Sequence, residues 1–195
     1  MTFNELIEKA RPLAKNFGWR DLFSYDNESG QLIHRVRSEW MFVDRRSCSI
    51  WNAKNANKVA GTKRPDGYIG LCVFRKTIVA HLVVWEMHHG SIPKGFEIDH
   101  INRCKSDNRI ENLRLATKSQ NAANVSEKRK NNTSGVKGVY WSTRESSWIA
   151  EIIVRYKKIR IGTFNCKVDA ANAYNAAATH HFGEFAKTND YGKAY

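Results

Sequence analysis

The stretch Gly95–Asn124, GFEIDHINRCKSDNRIENLRLATKSQNAAN, decides how the rest of the chain is read. It opens on a short alternating apolar run, Phe96, Ile98 and Ile101, that carries Asp99 and His100 side by side. Period-two alternation is the signature of a half-buried strand. A polar, turn-rich segment follows from Asn102 to Arg109, then a second short run, Ile110 to Leu115, which contains Asn112. Thr117 with Gln120 three residues on forms the capping-box pattern that starts a helix, and this places Asn121 in the first turns of that helix. Strand, hairpin, strand and helix thus follow one another within a single stretch. Adjacent strand residues point to opposite sides, so Asp99 and His100 approach one ligand together only if the strand ends or bends there.

The residue types on offer are a ligand for a hard cation and a proton acceptor. Asp99 is a hard anionic ligand and Asn121 a neutral carbonyl oxygen, a pair suited to Mg²⁺ or Mn²⁺ retaining several waters. An imidazole near neutral pH takes a proton from water, which makes His100 the candidate general base. Asn112 is expected to bridge the hairpin and orient His100 through a side-chain bond. Asp99-His100, Asn112 and Asn121 at this spacing resemble the HNH endonuclease motif in the variant where Asn replaces the last His. The wording EIDHIN, DNRIENLR and SQN is similar to phage-encoded HNH nucleases of the homing type. The similarity reaches upstream through Ala80-His81-Leu82. It implies a ββα-metal fold, a divalent cation, double-stranded DNA as substrate, and 5′-phosphate and 3′-hydroxyl products. His81 recurs in those sequences and is a candidate substrate contact, set against a structural hydrogen-bonding role.

Composition agrees with a polyanionic partner. Lys and Arg outnumber Asp and Glu by 32 to 19 in 195 residues, a net charge of +13 spread over the whole chain. Each phosphate neutralised by such a surface releases counterions. The four cysteines, Cys48, Cys72, Cys104 and Cys166, form no CxxC pair, which speaks against a zinc knuckle or a disulfide framework. The first residues, MTFNELIEKARPLAK, are amphipathic and lack an apolar signal core, and no apolar run approaches the ~20 residues of a membrane span. The expectation is a soluble protein of a reducing compartment, the bacterial cytoplasm if the chain is phage-encoded. It is expected to act as a monomer on an asymmetric site.

The chain divides, on this reading, into residues 1–60, 61–125, 126–133 and 134–190. The first part is a small helix over residues 2–17 and a hairpin over Leu22 to Arg37, turning at Asp26–Gly30. LFSYDNESGQLIHR also resembles the opening of the same phage nucleases, without chemistry of its own. Glu39 to Lys58 shows no clear period. The nuclease core, 61–125, adds a hairpin over Tyr68 to His81, with a turn at Arg75-Lys76, and a helix from Leu82 to His89 ended by Gly90 and Pro93. Residues 126–133 are a linker whose Lys128, Arg129 and Lys130 are available to backbone phosphates.

Residues 134–190 contain three strand patterns, Gly135 to Trp141, Ser147 to Arg155 and Lys158 to Phe164, and an Ala-rich helix from Val168 to Phe182. The fold class is therefore α+β: a ββα-metal core followed by a three-stranded antiparallel sheet packed on one helix. A helix on one side leaves the other sheet face bare. The wording GVYW, WIAEI, IGTF and DAANAYNAAATHHFGEFAKTN resembles the APETALA/ethylene-response-factor DNA-binding domain. That resemblance implies that the bare face lies in the major groove, which admits β-structure. It carries DNA-contact roles to Lys137, Tyr140, Arg144, Glu151, Lys158 and Arg160, and Trp141 is a further candidate contact, an aromatic that packs on sugars or fills core. The family's first-strand arginines are Lys137 and Tyr140 here, so its target sequence does not carry over. The alternative to a nuclease with an appended reader is a non-catalytic, transcription-factor-like DNA-binding protein, against which intact Asp99, His100 and Asn121 argue.

Overall fold

A computed structural model describes residues 18–125 and 132–190. It divides into two compact units, Met1–Leu115 and Ala116–Tyr195. The expected helix over residues 2–17 and the basic run Lys128–Lys130 lie outside the described residues. The fold is a mixture of helices and several small antiparallel sheets.

The first unit starts with a one-turn helix, α1 (Trp19–Leu22), that runs directly into the hairpin β1 (Phe23–Tyr25) and β2 (Leu32–His34). Asp26 makes the turn: its carboxylate accepts from the Glu28 amide and the Ser29 hydroxyl, and its carbonyl accepts from the Gly30 amide. The aperiodic region resolves into a 3-10 turn (Glu39–Met41) and the helix α2 (Arg45–Asn55). Asp44 starts α2 by accepting from the Ser47 amide at 2.7 Å. Only Cys48 on α2 is buried, so the helix has no apolar stripe for a periodicity reading to find.

A three-stranded sheet follows in the order β3 (Thr62–Lys63), β4 (Ile69–Val73) and β5 (Lys76–Val79). Its tight β4–β5 turn uses Phe74 and Arg75 at φ +47° and +62°, the left-handed pair that a two-residue hairpin needs. The helix α3 (Ala80–His89) comes next and stops at Gly90, φ +79°. His81 is therefore inside the first turn of α3 rather than before the helix. Leu22, Phe23, Leu71, Val73, Val83, Val84, Ile98 and Leu113 form one core under these elements. Against this core lies β6 (Phe96–His100), which pairs with β7 (Leu113–Thr117).

The division between units falls inside β7, so the helix α4 (Lys118–Asn124) groups with the C-terminal part rather than with residues 61–115. The physical reason is local: the Ala123 carbonyl accepts from the Lys187 amide and the Lys137 ammonium. The second unit then forms the antiparallel sheet β8 (Val139–Ser142), β9 (Ser147–Val154) and β10 (Lys157–Phe164), in the order β10-β9-β8. The helix α5 (Lys167–Phe182) covers one face. Ala170, Ala171 and Ala178 are buried, which lets the helix backbone lie close to Ala150 and Ile152 of β9. Asn189 closes the unit by exchanging backbone–side-chain bonds with Lys137 and Asn175.

Candidate active site

β6 ends at His100, and the chain turns at once into the loop 101–112. That ending lets neighbours of opposite orientation share one end of the strand, and both Asp99 and His100 are buried there. His100 is 4% exposed, and its Nε2 lies 3.1 Å from Asn108 Oδ1. A carbonyl oxygen only accepts, so this bond puts the proton on Nε2 and the lone pair on Nδ1. Burial lowers the imidazole pKa below its ordinary value, against the opposing pull of the Asn108 bond and of Asp99.

Asn112 does not orient His100 directly. Its amide oxygen accepts from the Asn102 amide at 2.9 Å and its amide nitrogen donates to the Asp107 carbonyl at 2.8 Å. It pins both ends of the loop, while the bond to the imidazole comes from Asn108. The loop is stiffened further by Asp107, which accepts from Arg109 and from Asn102. The Arg109 bonds hold the Asp107 carboxyl down at about 2. Asn108 sits among Asn-rich turn residues whose spacing gives no hint of which one faces inward. It is 3% exposed.

His81, from α3, packs edge-on against His100 with ring centroids 4.9 Å apart, and Tyr68 lies 5.1 Å from His81. Burial pushes His81 down to about 3, and His100 adds to the shift. It is thus a neutral ring that walls the imidazole. Its buried Nδ1 has no hydrogen-bond partner.

Asp99 accepts from Arg114 Nε of β7 at 3.0 Å, both side chains being nearly buried. Sequence reasoning missed Arg114, because pairing across two strands leaves no mark in linear spacing. Among the described residues no three His, Cys, Asp or Glu side chains gather into a metal cage. A single buried carboxylate, steadied by one arginine, fits a hard cation held by few protein ligands and otherwise by water and substrate phosphate. Asn121, the second expected ligand, lies on α4, whose start is set by the capping box: Thr117 Oγ1 accepts from the Gln120 amide, and Gln120 Oε1 accepts from the Thr117 amide.

In the second unit, the register pairs Arg160 with Glu151 and Lys158 with Ile153. The Tyr140 hydroxyl donates to Glu151 at 2.9 Å, and the Lys158 ammonium lies 2.9 Å from the same carboxylate. Arg160 bonds to Glu145 and Thr163. Tyr140, Glu151, Lys158 and Arg160 therefore share the sheet face opposite α5. Arg144 is exposed in the β8–β9 turn. Two expected contacts lie elsewhere. Trp141 pairs with Trp148 and packs edge-on against it at 5.3 Å, on the helix side of the sheet. Lys137 precedes β8, and its ammonium bonds the Ala123 and Val125 carbonyls at the end of α4.

The family model described as HNH endonuclease matches residues 79–123, which takes in His81, Asp99, His100, Asn108, Asn112 and Asn121. Protein 3.8 of Escherichia phage T7 is 34% identical over 114 residues, covering 58% of this chain and 93% of that protein. The protein named Uncharacterized HNH endonuclease L560, of Acanthamoeba polyphaga mimivirus, is 36% identical over 100 residues, covering 51% of this chain and 50% of its own length.

Proposed function

The chain belongs to the family of Protein 3.8 and carries an HNH endonuclease domain, and from that premise we propose that it is a metal-dependent DNA endonuclease of the homing type. The observation that carries the reading is the buried imidazole of His100, beside Asp99 and bonded through Nε2 to Asn108. In this reading the Nδ1 lone pair takes the proton from the attacking water. Burial favours the neutral, proton-accepting form at physiological pH. Asp99 and Asn121 would hold Mg²⁺ or Mn²⁺, which supplies charge relief on the phosphate and the leaving oxygen. Arg114 keeps the Asp99 carboxylate aimed, and Asn112 keeps the loop that presents Asn108 from unravelling. His81 serves as a neutral wall of the site, with its Nδ1 as the atom that would meet substrate. The products are a 5′-phosphate and a 3′-hydroxyl.

The second unit, on the same reading, is the DNA reader. Tyr140, Glu151, Lys158 and Arg160 face the groove, Arg144 reaches it from the turn, and Glu145 and Glu151 keep the basic side chains in place until phosphates compete for them. The protein acts as a monomer. Among the described residues no helix is long and apolar enough to cross a membrane.

A plasmid-nicking assay with and without Mg²⁺ tests the activity. Cleavage is expected only with the cation. His100→Ala is expected to lower the rate at least 100-fold while leaving DNA binding intact, in keeping with the ~10²–10⁴ that a general base contributes. Equal cleavage by His100→Ala would remove the assigned base. Binding without any cation-dependent cleavage would favour the non-catalytic DNA-binding reading.

A further inference from the structure

The N-terminal hairpin, which carries no chemistry of its own, meets the active-site loop over Asn108, Arg109 and Ile110. Tyr25, at the end of β1, accepts from the Ile110 amide through its hydroxyl at 2.8 Å and donates to the Asn108 carbonyl at 3.2 Å. Burial raises the Tyr25 pKa, so the hydroxyl keeps its donor proton. From the turn of the same hairpin, Gly30 at φ +70° lies flat against the loop backbone. A Cβ there would stand 2.4 Å from the Arg109 nitrogen and 2.7 Å from the Asn108 carbonyl carbon. The hairpin therefore grips the backbone from the Asn108 carbonyl to the Ile110 amide, directly after the residue whose side chain holds His100 Nε2.

We propose that Tyr25 and Gly30 are positioning residues: they fix Asn108, and through it the tautomer and ring orientation of His100. This rests on His100 being the general base. A buried hydrogen bond to one ring nitrogen sets which nitrogen carries the proton, and an acceptor on an unsecured loop would let the imidazole flip or exchange tautomers. The Asn112 clamp and the Lys105 bond to the Asp66 carbonyl hold the loop elsewhere, and the hairpin supplies the fixed point at Asn108 itself.

Nitrogen-15 NMR of the full-length protein reads the His100 tautomer directly, without any cleavage. The wild type is expected to show one tautomer, protonated at Nε2, and slow exchange of the Ile110 amide. Tyr25→Phe keeps the ring that packs on His88. It is expected to give a tautomer mixture, and kcat about 10-fold or more below wild type at unchanged KM for DNA, the usual size of an outer-shell loss. Added to Asn108→Ala, Tyr25→Phe is expected to change neither tautomer nor kcat further. A wild-type tautomer in Tyr25→Phe, kcat losses that multiply in the double variant, or rapid exchange of the wild-type Ile110 amide would each overturn the proposal. Normal cleavage by His100→Ala would instead fault the base assignment, while the tautomer measurement would still judge the hairpin.

Discussion

His81 and His100 are two buried imidazoles in ring contact, and their titration is therefore coupled to folding. Both ordinarily titrate near 6.5; in the folded chain burial pushes His81 down to about 3 and lowers His100 in the same direction. Between those values the unfolded chain binds protons that the folded one refuses. For His81 the stability is then complete above about pH 6.5 and falls as pH drops toward 3, at up to ~1.4 kcal/mol per pH unit, and His100 adds a loss in the same direction. Asp107, held at about 2 by Arg109, adds its own loss below its ordinary 3.8. Urea unfolding at pH 7.5, 6 and 4.5 checks this: His81→Gln is expected to flatten the slope, and an unchanged slope would assign the acid sensitivity elsewhere. At this scale the sequence was partly legible. Asp99 and His100 announced themselves by residue type, because hydrolysis needs a hard ligand and a base. Asn108 and Arg114 did not, since their roles depend on which loop residue turns inward and which strand lies alongside.

Elements were read best where a local rule dictates them and worst where only tertiary contacts do. The Thr117/Gln120 capping box holds as expected because both of its bonds are made within one turn. The Asp26–Gly30 hairpin holds for the same reason: its turn is built from Asp26's own side chain and a left-handed Gly30. By contrast α2, polar on nearly every side, shows no period, and only the Asp44 cap marks it. The capping box also makes a prediction about the site, because it decides the residue at which α4 begins and hence where Asn121 falls. Thr117→Ala removes the hydroxyl acceptor and is expected to cost about 1 kcal/mol. It should also weaken Mg²⁺ binding measured by calorimetry, whereas Thr117→Ser, which keeps the oxygen, should restore both. Unchanged Mg²⁺ affinity in a measurably destabilised Thr117→Ala would separate Asn121 from the metal site.

For the whole molecule, charge was the easiest property to read and the least specific. A net +13 announces a polyanion without saying which surface meets it. On the proposed reading of the second unit, the cations expected to contact DNA separate by placement. Lys158 stands on the open face of the sheet with two-thirds of its side chain exposed, while the Lys137 ammonium caps the end of α4. Lys158 is held beside Glu151 in the free protein, an exposed pair of the kind that contributes little to stability and yields readily to a phosphate. DNA affinity should therefore fall steeply with salt, log Kobs losing about 0.9 per phosphate contact for each unit of log salt. Lys158→Gln is expected to shallow that slope by about 1 and to weaken binding similarly on all sequences, as a phosphate contact does. Lys137→Gln is expected to leave the slope unchanged and to lower thermal stability, because it deprives two helix-end carbonyls of their donor. Fluorescence-anisotropy titrations over a range of salt distinguish the two variants. A slope that responds to Lys137 and not to Lys158 would move the DNA interface off the open face of the sheet.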